Sequence, residues 1–216
     1  ARGARTPEKI PTIARQSLWV ALILGVISML ILQAMPLLLP LFGIPSSLIP
    51  KASLFLHAIG LGMPAVMLYS ALRSYSEALG HPRPVTVISL LALLMLIPLN
   101  FIFMYGFGPV PALGSAGCGF ATAILQWLMF ITLAIYIHKA KAYQHAPIFT
   151  QWEKIDPLWV KRILKLGLPI GLAIFFEVSS FALVAILVSP SGEIAVAGHQ
   201  IALSVTSVIF MLPLSL

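Results

Sequence analysis

One acidic side chain stands well inside an apolar run. Glu177 is twelfth of the 23 residues from Leu166 to Val188. A helix over that run would place its carboxylate near the middle of a bilayer, where an ionised acid costs several kcal/mol. The group must then be neutralised by a proton, a bound cation or a basic partner. No lysine or arginine lies inside any apolar run of this chain. A carboxylate so placed can exchange one mobile cation for another, which is the chemistry of an antiporter. The competing reading is a structural acid paired with a basic residue elsewhere. Ser180 follows at i+3, one helical turn on, and Pro169 removes a backbone hydrogen bond near the start of the run. Carbonyls freed in this way commonly face cations in broken membrane helices.

A second polar group is spread over two neighbouring runs. Asn100 follows Pro98, and Cys118, Thr122 and Gln126 are spaced i, i+4, i+8, which puts them on one helix face. Asn100, Thr122 and Gln126 could share a polar cavity; equally, they could be hydrogen-bonding glue between helices. His57, His199 and Gln200 are weaker candidates, explained about as well by packing. No CxxC or HExxH motif is present, and the single cysteine, Cys118, excludes an internal disulfide.

These residues need helices to carry them. Of the 216 residues, 60% are hydrophobic and 9% charged, against about 25% charged in a soluble domain. The mean hydropathy is +1.03. So few charges cannot cover a water-facing surface, so lipid must surround most of the chain. Six runs approach or exceed the roughly 20 residues that a membrane helix needs: Leu18 to about Leu41, one between Lys51 and Arg73, about Val85 to Tyr105, about Ser115 to Ile137, Leu166 to Val188, and one from about Ile194. Membrane strands would alternate in polarity, and these runs do not. The predicted fold class is therefore all-α, a polytopic transmembrane helix bundle. Gly106-Phe107-Gly108-Pro109-Val110-Pro111 reads as the turn dividing an uncharged stretch into two spans. The small residues Gly60, Gly62, Gly114, Gly117, Gly119, Ala121 and Ala123 mark where helices touch.

The net charge is +7. The basic residues sit between the runs, so they report topology and not nucleic-acid binding. Twelve fall in alternate loops on one side, and Lys51 alone on the other. The positive-inside bias then makes the amino end cytoplasmic. The segment 138–165 is the one long polar connection. Asp156-Pro157 within it is a helix-start signature, and Trp159 to Lys165 reads as a short amphipathic entry to the fifth run. The organisation expected is four spans in 1–137, a cytoplasmic linker at 138–165, and two spans in 166–216. With no signal for cleavage after the first run and both ends falling as cuts, the chain reads as a piece of a larger machine.

Several strings resemble the multidrug and toxic compound extrusion (MATE) family, in its NorM-type branch. They are Arg73-Ser74-Tyr75-Ser76-Glu77-Ala78-Leu79-Gly80-His81-Pro82-Arg83-Pro84, Ile97-Pro98-Leu99-Asn100-Phe101-Ile102-Phe103-Met104-Tyr105-Gly106, and Leu113-Gly114-Ser115-Ala116-Gly117-Cys118-Gly119-Phe120-Ala121-Thr122-Ala123. Further along come Gly167-Leu168-Pro169-Ile170 with Phe175-Phe176-Glu177, and His199-Gln200-Ile201-Ala202-Leu203 with Met211-Leu212-Pro213-Leu214-Ser215. Each is loose alone, but their order and spacing along six spans are specific.

The resemblance implies spans three to eight of a twelve-helix, two-lobe transporter of the bacterial inner membrane. It would be monomeric when complete, and would export organic cations in exchange for Na⁺ or H⁺ by alternating access. It implies that Glu177 binds the coupling cation. Asn100, Thr122 and the backbone carbonyl of Cys118 would serve a cation site in the first lobe, whose central acid would come from a span absent here. Met104 stands where a sister branch has an acid. Gln126, Ser180 and Gln200 are the remaining polar candidates for the cavity. No cofactor beyond the coupling ion, and no nucleic acid, is expected. The alternative function is a flippase for lipid-linked saccharides. That would need cationic residues in the cavity to hold pyrophosphate, and the spans contain none. An enzyme would need convergent acids, a metal motif or a nucleophile–base pair, and a lone buried glutamate supplies none of these.

Overall fold

The computed structural model describes residues 10–42, 49–107, 111–143, 148–149, 153–188 and 193–214. Arg2, Arg5, Lys9, Trp152, Ser215 and the Gly108–Val110 part of the predicted turn lie outside the described residues. The described residues form six α-helices: α1 (Ile10–Ala34), α2 (Ile49–Ala78), α3 (Arg83–Tyr105), α4 (Ser115–Lys139), α5 (Pro157–Val188) and α6 (Glu193–Leu214). Among the described residues there is no β-strand. In hydrocarbon, each backbone N–H and C=O must be satisfied within its own segment, so continuous apolar runs become helices. By length and composition, α1 to α5 are each able to cross a membrane, and α6 adds a further 22-residue helix. The chain forms a multi-pass membrane protein. It divides into two compact units, Ala1–Val160 and Lys161–Leu216.

In the first unit α2 is central, with α1 on one side and α4 on the other, and α3 packs on α4. α1 begins eight residues before the predicted Leu18. It gives way to short 3-10 turns at Met35–Leu37 and Leu39–Phe42, where Pro36 and Pro40 cannot continue an α-helix. The contacts between helices are made by small residues. A Cβ built on Gly25 would lie 2.6 Å from Pro64 Cα, and one on Gly62 2.9 Å from Ala123 Cα. One on Gly117 would lie 2.3 Å from the Phe103 carbonyl oxygen. Without a hydrophobic driving force between helices in lipid, such close approach supplies the dispersion that holds them. The outward faces are bare hydrocarbon: Leu93, Leu94 and Ile97 of α3 are 60%, 61% and 71% exposed.

One end of this unit gathers Arg15, Arg73, Arg83, Lys139, Lys141 and Lys154; we refer to it as the basic end. The main buried cluster lies there too, built from Ala14, Tyr69, Leu72, Tyr75, Val85, Ile88, Leu133, Ile137, Tyr143 and Ile148. α2 closes at this end with a Schellman motif: the Gly80 N–H donates to Glu77 O at 2.9 Å and the His81 N–H to Ser76 O at 2.9 Å. Gly80 sits at φ 80°, where a Cβ is strained. Pro82 and Pro84 then start α3. Gly80→Val is expected to cost about 1–2 kcal/mol, read as a lowered midpoint in thermal denaturation in detergent. The Tyr143 hydroxyl donates to the buried Ser76 hydroxyl at 3.2 Å. Burial pushes the Tyr143 phenol above its ordinary value, which keeps that donor protonated.

The region predicted as a polar loop at 138–165 is organised differently. α4 continues to Lys139, a 3-10 turn spans Lys141–Tyr143, and α5 starts at Pro157. Trp159–Lys165 forms opening turns of α5. The Asp156 carboxylate caps it, accepting the Leu158 N–H at 2.9 Å. Residues 153–156 form a strap laid on α1. Arg15 Nε donates to Ile148 O at 3.0 Å, and the Arg15 guanidinium pairs with Glu153. Trp19 Nε1 donates to Glu153 O at 3.1 Å.

Candidate functional site

The first group of polar residues lies in the first unit, toward the end opposite the basic one. α3 and α4 are antiparallel neighbours there. The Leu113 N–H donates to Phe103 O at 3.1 Å and the Gly114 N–H to Met104 O at 3.1 Å. Gly117 lies directly against Phe103. One turn along α3 from Phe103 is Asn100, and one turn along α4 from Gly117 and Cys118 are Ala121 and Thr122. Asn100 therefore sits at the depth of the Cys118–Thr122 turn. All three, and Gln126, are half-buried.

Asn100 Oδ1 is buried and has no hydrogen-bond partner. A buried acceptor left unpaired costs about 1–3 kcal/mol, so this oxygen is poised for a donor or a cation. The Thr122 hydroxyl donates to Cys118 O at 2.8 Å, the i−4 back-bond that threonine makes within helices. That bond joins the helical N–H on the same carbonyl and leaves the hydroxyl oxygen free to accept or ligate. The group offers neutral oxygens, which suit a hard cation and supply no charge to balance it. Among the described residues, no cluster of three His, Cys, Asp or Glu side chains is present.

The second group belongs to α5 and α6. α5 is 32 residues long, about 48 Å at 1.5 Å per residue, longer than the roughly 30 Å hydrocarbon core. Its opening turns carry Lys161, Arg162 and Lys165. Glu177 lies eleven residues past Leu166, about 17 Å along the axis. Its neighbours Phe175, Phe176 and Val178 are all more than 60% exposed, so the acid stands among outward-facing apolar side chains. Among the described residues it makes no ion pair. The Ser180 hydroxyl does not turn toward Glu177 but donates to Phe176 O at 2.7 Å. Gln200 is exposed, and its carbonyl accepts the Ser204 hydroxyl at 2.9 Å. His199 Nε2 is buried without a partner.

Two polar features were not legible in full at the level of sequence. His57 Nδ1 donates to Gln33 Oε1, and Gln33 Nε2 donates to His57 O at 3.3 Å. This pair joins α1 to α2 beside Gly60, where a Cβ would lie 3.3 Å from Gln33 Nε2. A lone imidazole in an apolar span carries no local sign that its partner is Gln33, 24 positions away. The other feature is the α1 strip of Thr12, Arg15, Gln16 and Trp19. Its signal was present as i, i+3, i+4, i+7 spacing, but Arg15 reads from sequence only as a loop charge.

Residues 1–102 match the MatE family model. Over 216 residues the chain is 73% identical to the probable multidrug resistance protein NorM of Acinetobacter baylyi, covering all of this chain and 48% of that protein. The chain belongs to the MATE family. It is also 43% identical over 215 residues to the multidrug resistance protein MdtK of Yersinia pestis, covering 99% of this chain and 47% of that one. A solved structure of the MATE transporter NorM-NG, in complex with a monobody, superposes with a TM-score of 0.76 at 31% identity, covering 98% of this chain and 46% of that one. The chain thus spans about half the length of the MATE relatives it matches, and its helices have the fold of the corresponding half.

Proposed function

We propose that the chain is the central part of a multidrug exporter, spans three to eight of twelve, that exchanges Na⁺ or H⁺ for bulky amphipathic organic cations across the bacterial inner membrane. One observation carries this reading: Glu177 is a carboxylate on an apolar membrane helix with no basic partner among the described residues. An intramembrane acid is functional by default, and here a mobile cation neutralises it. The names of the relatives, multidrug resistance proteins from Acinetobacter and Yersinia, support the substrate class.

In this mechanism Glu177 binds either the coupling ion or the drug's positive charge, not both. Asn100 Oδ1, the Cys118 carbonyl and the Thr122 hydroxyl form a second cation site in the first lobe. Gln126 in the first unit, and Ser180 and Gln200 in the second, are the further polar candidates for contact with the drug. Entry of the ion weakens the drug's hold, and alternating access follows because ion and drug favour different conformers. Residues 138–165 link the two lobes, the amino end of α1 is cytoplasmic, and the transporter works as a monomer. Its chemistry is transport and not catalysis.

The test uses the full-length transporter in proteoliposomes. A fluorescent organic cation added to the drug side is expected to release Na⁺ or H⁺ from the protein, and an inward ion gradient to drive its movement. Imposing Na⁺ and pH gradients separately identifies the ion. Absence of exchange under both gradients would overturn the proposal.

A further inference from the structure

We infer that Thr12, Arg15, Gln16 and Trp19 of α1 form a built receptor for the strap 153–156, with Gln16 as the positioning residue that sets where the helix carrying Glu177 begins. The four side chains share one face of α1 by their i, i+3, i+4, i+7 spacing. Gln16 is 1% exposed and uses both ends of its amide. Its Nε2 donates to Lys154 O at 2.9 Å, and its Oε1 accepts the Asp156 N–H at 3.0 Å. These are the two backbone groups flanking Ile155 that a parallel neighbouring strand would take. The side chain thus stands in for a strand that is not there.

Asp156 is held from two sides. Its N–H is gripped by Gln16, and its carboxylate caps α5 at Leu158. Upstream, Thr12 Oγ1 donates to Glu153 Oε1 at 3.2 Å, beside the Arg15–Glu153 pair. Beneath the strap is a cavity of about 260 Å³ lined by Leu18, Leu22, Leu68, Phe130 and Phe149. Apolar filling there is incomplete, so directional hydrogen bonds must carry much of the attachment. A buried amide left half-satisfied would be costly, which makes the register of the strap single-valued.

Trypsin reads this arrangement directly. The Lys154 side chain is exposed, but the carbonyl of its scissile bond is tied to Gln16. In the full-length protein in detergent, cleavage after Lys154 is expected to be slow, and to rise on the order of ten-fold in Gln16→Ala as local opening becomes easier. Gln16→Glu keeps the acceptor for Asp156 and loses the donor to Lys154, so it should fall between; if Gln16→Ala fails to insert, this variant decides. Unchanged cleavage after Lys154 in an inserted variant would overturn the receptor. The positioning role rests on the proposed function, and its readout is transport. Maximal exchange rate should fall several-fold in Gln16→Glu while the drug concentration for half-maximal rate stays unchanged. A strap loosened in proteolysis with a wild-type maximal rate would overturn that role alone. An inactive wild-type protein would instead overturn the exporter reading and leave the proteolysis result standing.

Discussion

Glu177→Gln is expected to abolish cation-driven drug export while leaving the protein inserted and folded. Glutamine has nearly the shape of a protonated glutamate and keeps the hydrogen-bonding capacity of a neutral acid. What it lacks is the negative charge that attracts a cation. If the ion biases the conformers through this charge, removing it removes the coupling. Couplings of this kind are typically worth 1–3 kcal/mol, so the loss in ion-driven exchange should be roughly 5- to 150-fold. The experiment has two parts. Expression in a pump-deficient strain should show loss of drug resistance at unchanged membrane abundance. Purified protein in liposomes should show no drug-triggered ion release. Glu177→Asp should retain part of both activities. Resistance and exchange at wild-type levels in the glutamine variant would show that the charge on α5 is not the coupling group.

The largest structural effect is expected at Gly117. The atoms that its Cβ would meet, Phe103 O at 2.3 Å, Phe103 C at 2.5 Å and Met104 N at 2.9 Å, are all backbone. They belong to the last turn of α3, whose carbonyls are already engaged by Leu113 and Gly114. Rotamer adjustment cannot relieve the clash; α3 and α4 must separate. Overpacking a close contact by a few atoms costs roughly 1–3 kcal/mol. Gly117→Ala should lie at the upper end, and Gly117→Leu should fail to give a folded protein. Gly25 meets Pro64 Cα at 2.6 Å and should rank next, and Gly62 meets Ala123 Cα at 2.9 Å and should follow. Gly119 meets Ala58 Cβ and Phe55 O at 3.1 Å and should be the mildest of the four as an alanine. Thermal midpoints of the four alanine variants in detergent test this order. A Gly117→Ala protein as stable as wild type would refute the contact. Because Asn100 and Cys118 flank it, a milder separation should also weaken the cation binding proposed there.

The helices were legible because lipid leaves the backbone no alternative. A run of apolar residues without charges must satisfy its own peptide groups, and the predicted spans agree with α2, α3 and α4 to within a few residues. The start of α5 was legible too, since Asp156-Pro157 is a local signal read by one hydrogen bond to Leu158. The 138–165 region was less so. Its charges suggested a solvated loop, but Tyr143 and Ile148 are 2% and 4% exposed, and the strap is fixed to α1. Arg15 illustrates the reason. A basic residue at a helix start serves topology by default, and nothing local shows that Glu153, 138 positions away, will meet it.

The same division runs through the candidate site. Residue type and depth were properties of the sequence: a lone acid at the middle of a span, and an asparagine near Pro98. From residue order and hydropathy alone follow the helical class, the alternation of charged loops and the isolation of Glu177, because each depends on the chain's exchange with its solvent. Which glycine meets which backbone, that Asn100 lies level with Cys118 and Thr122, and that Gln16 grips the strap were decided only by the tertiary structure. Those pairings arise from shape and hydrogen-bond geometry between segments distant in sequence, where many small residues and amides are equivalent until the helices are packed.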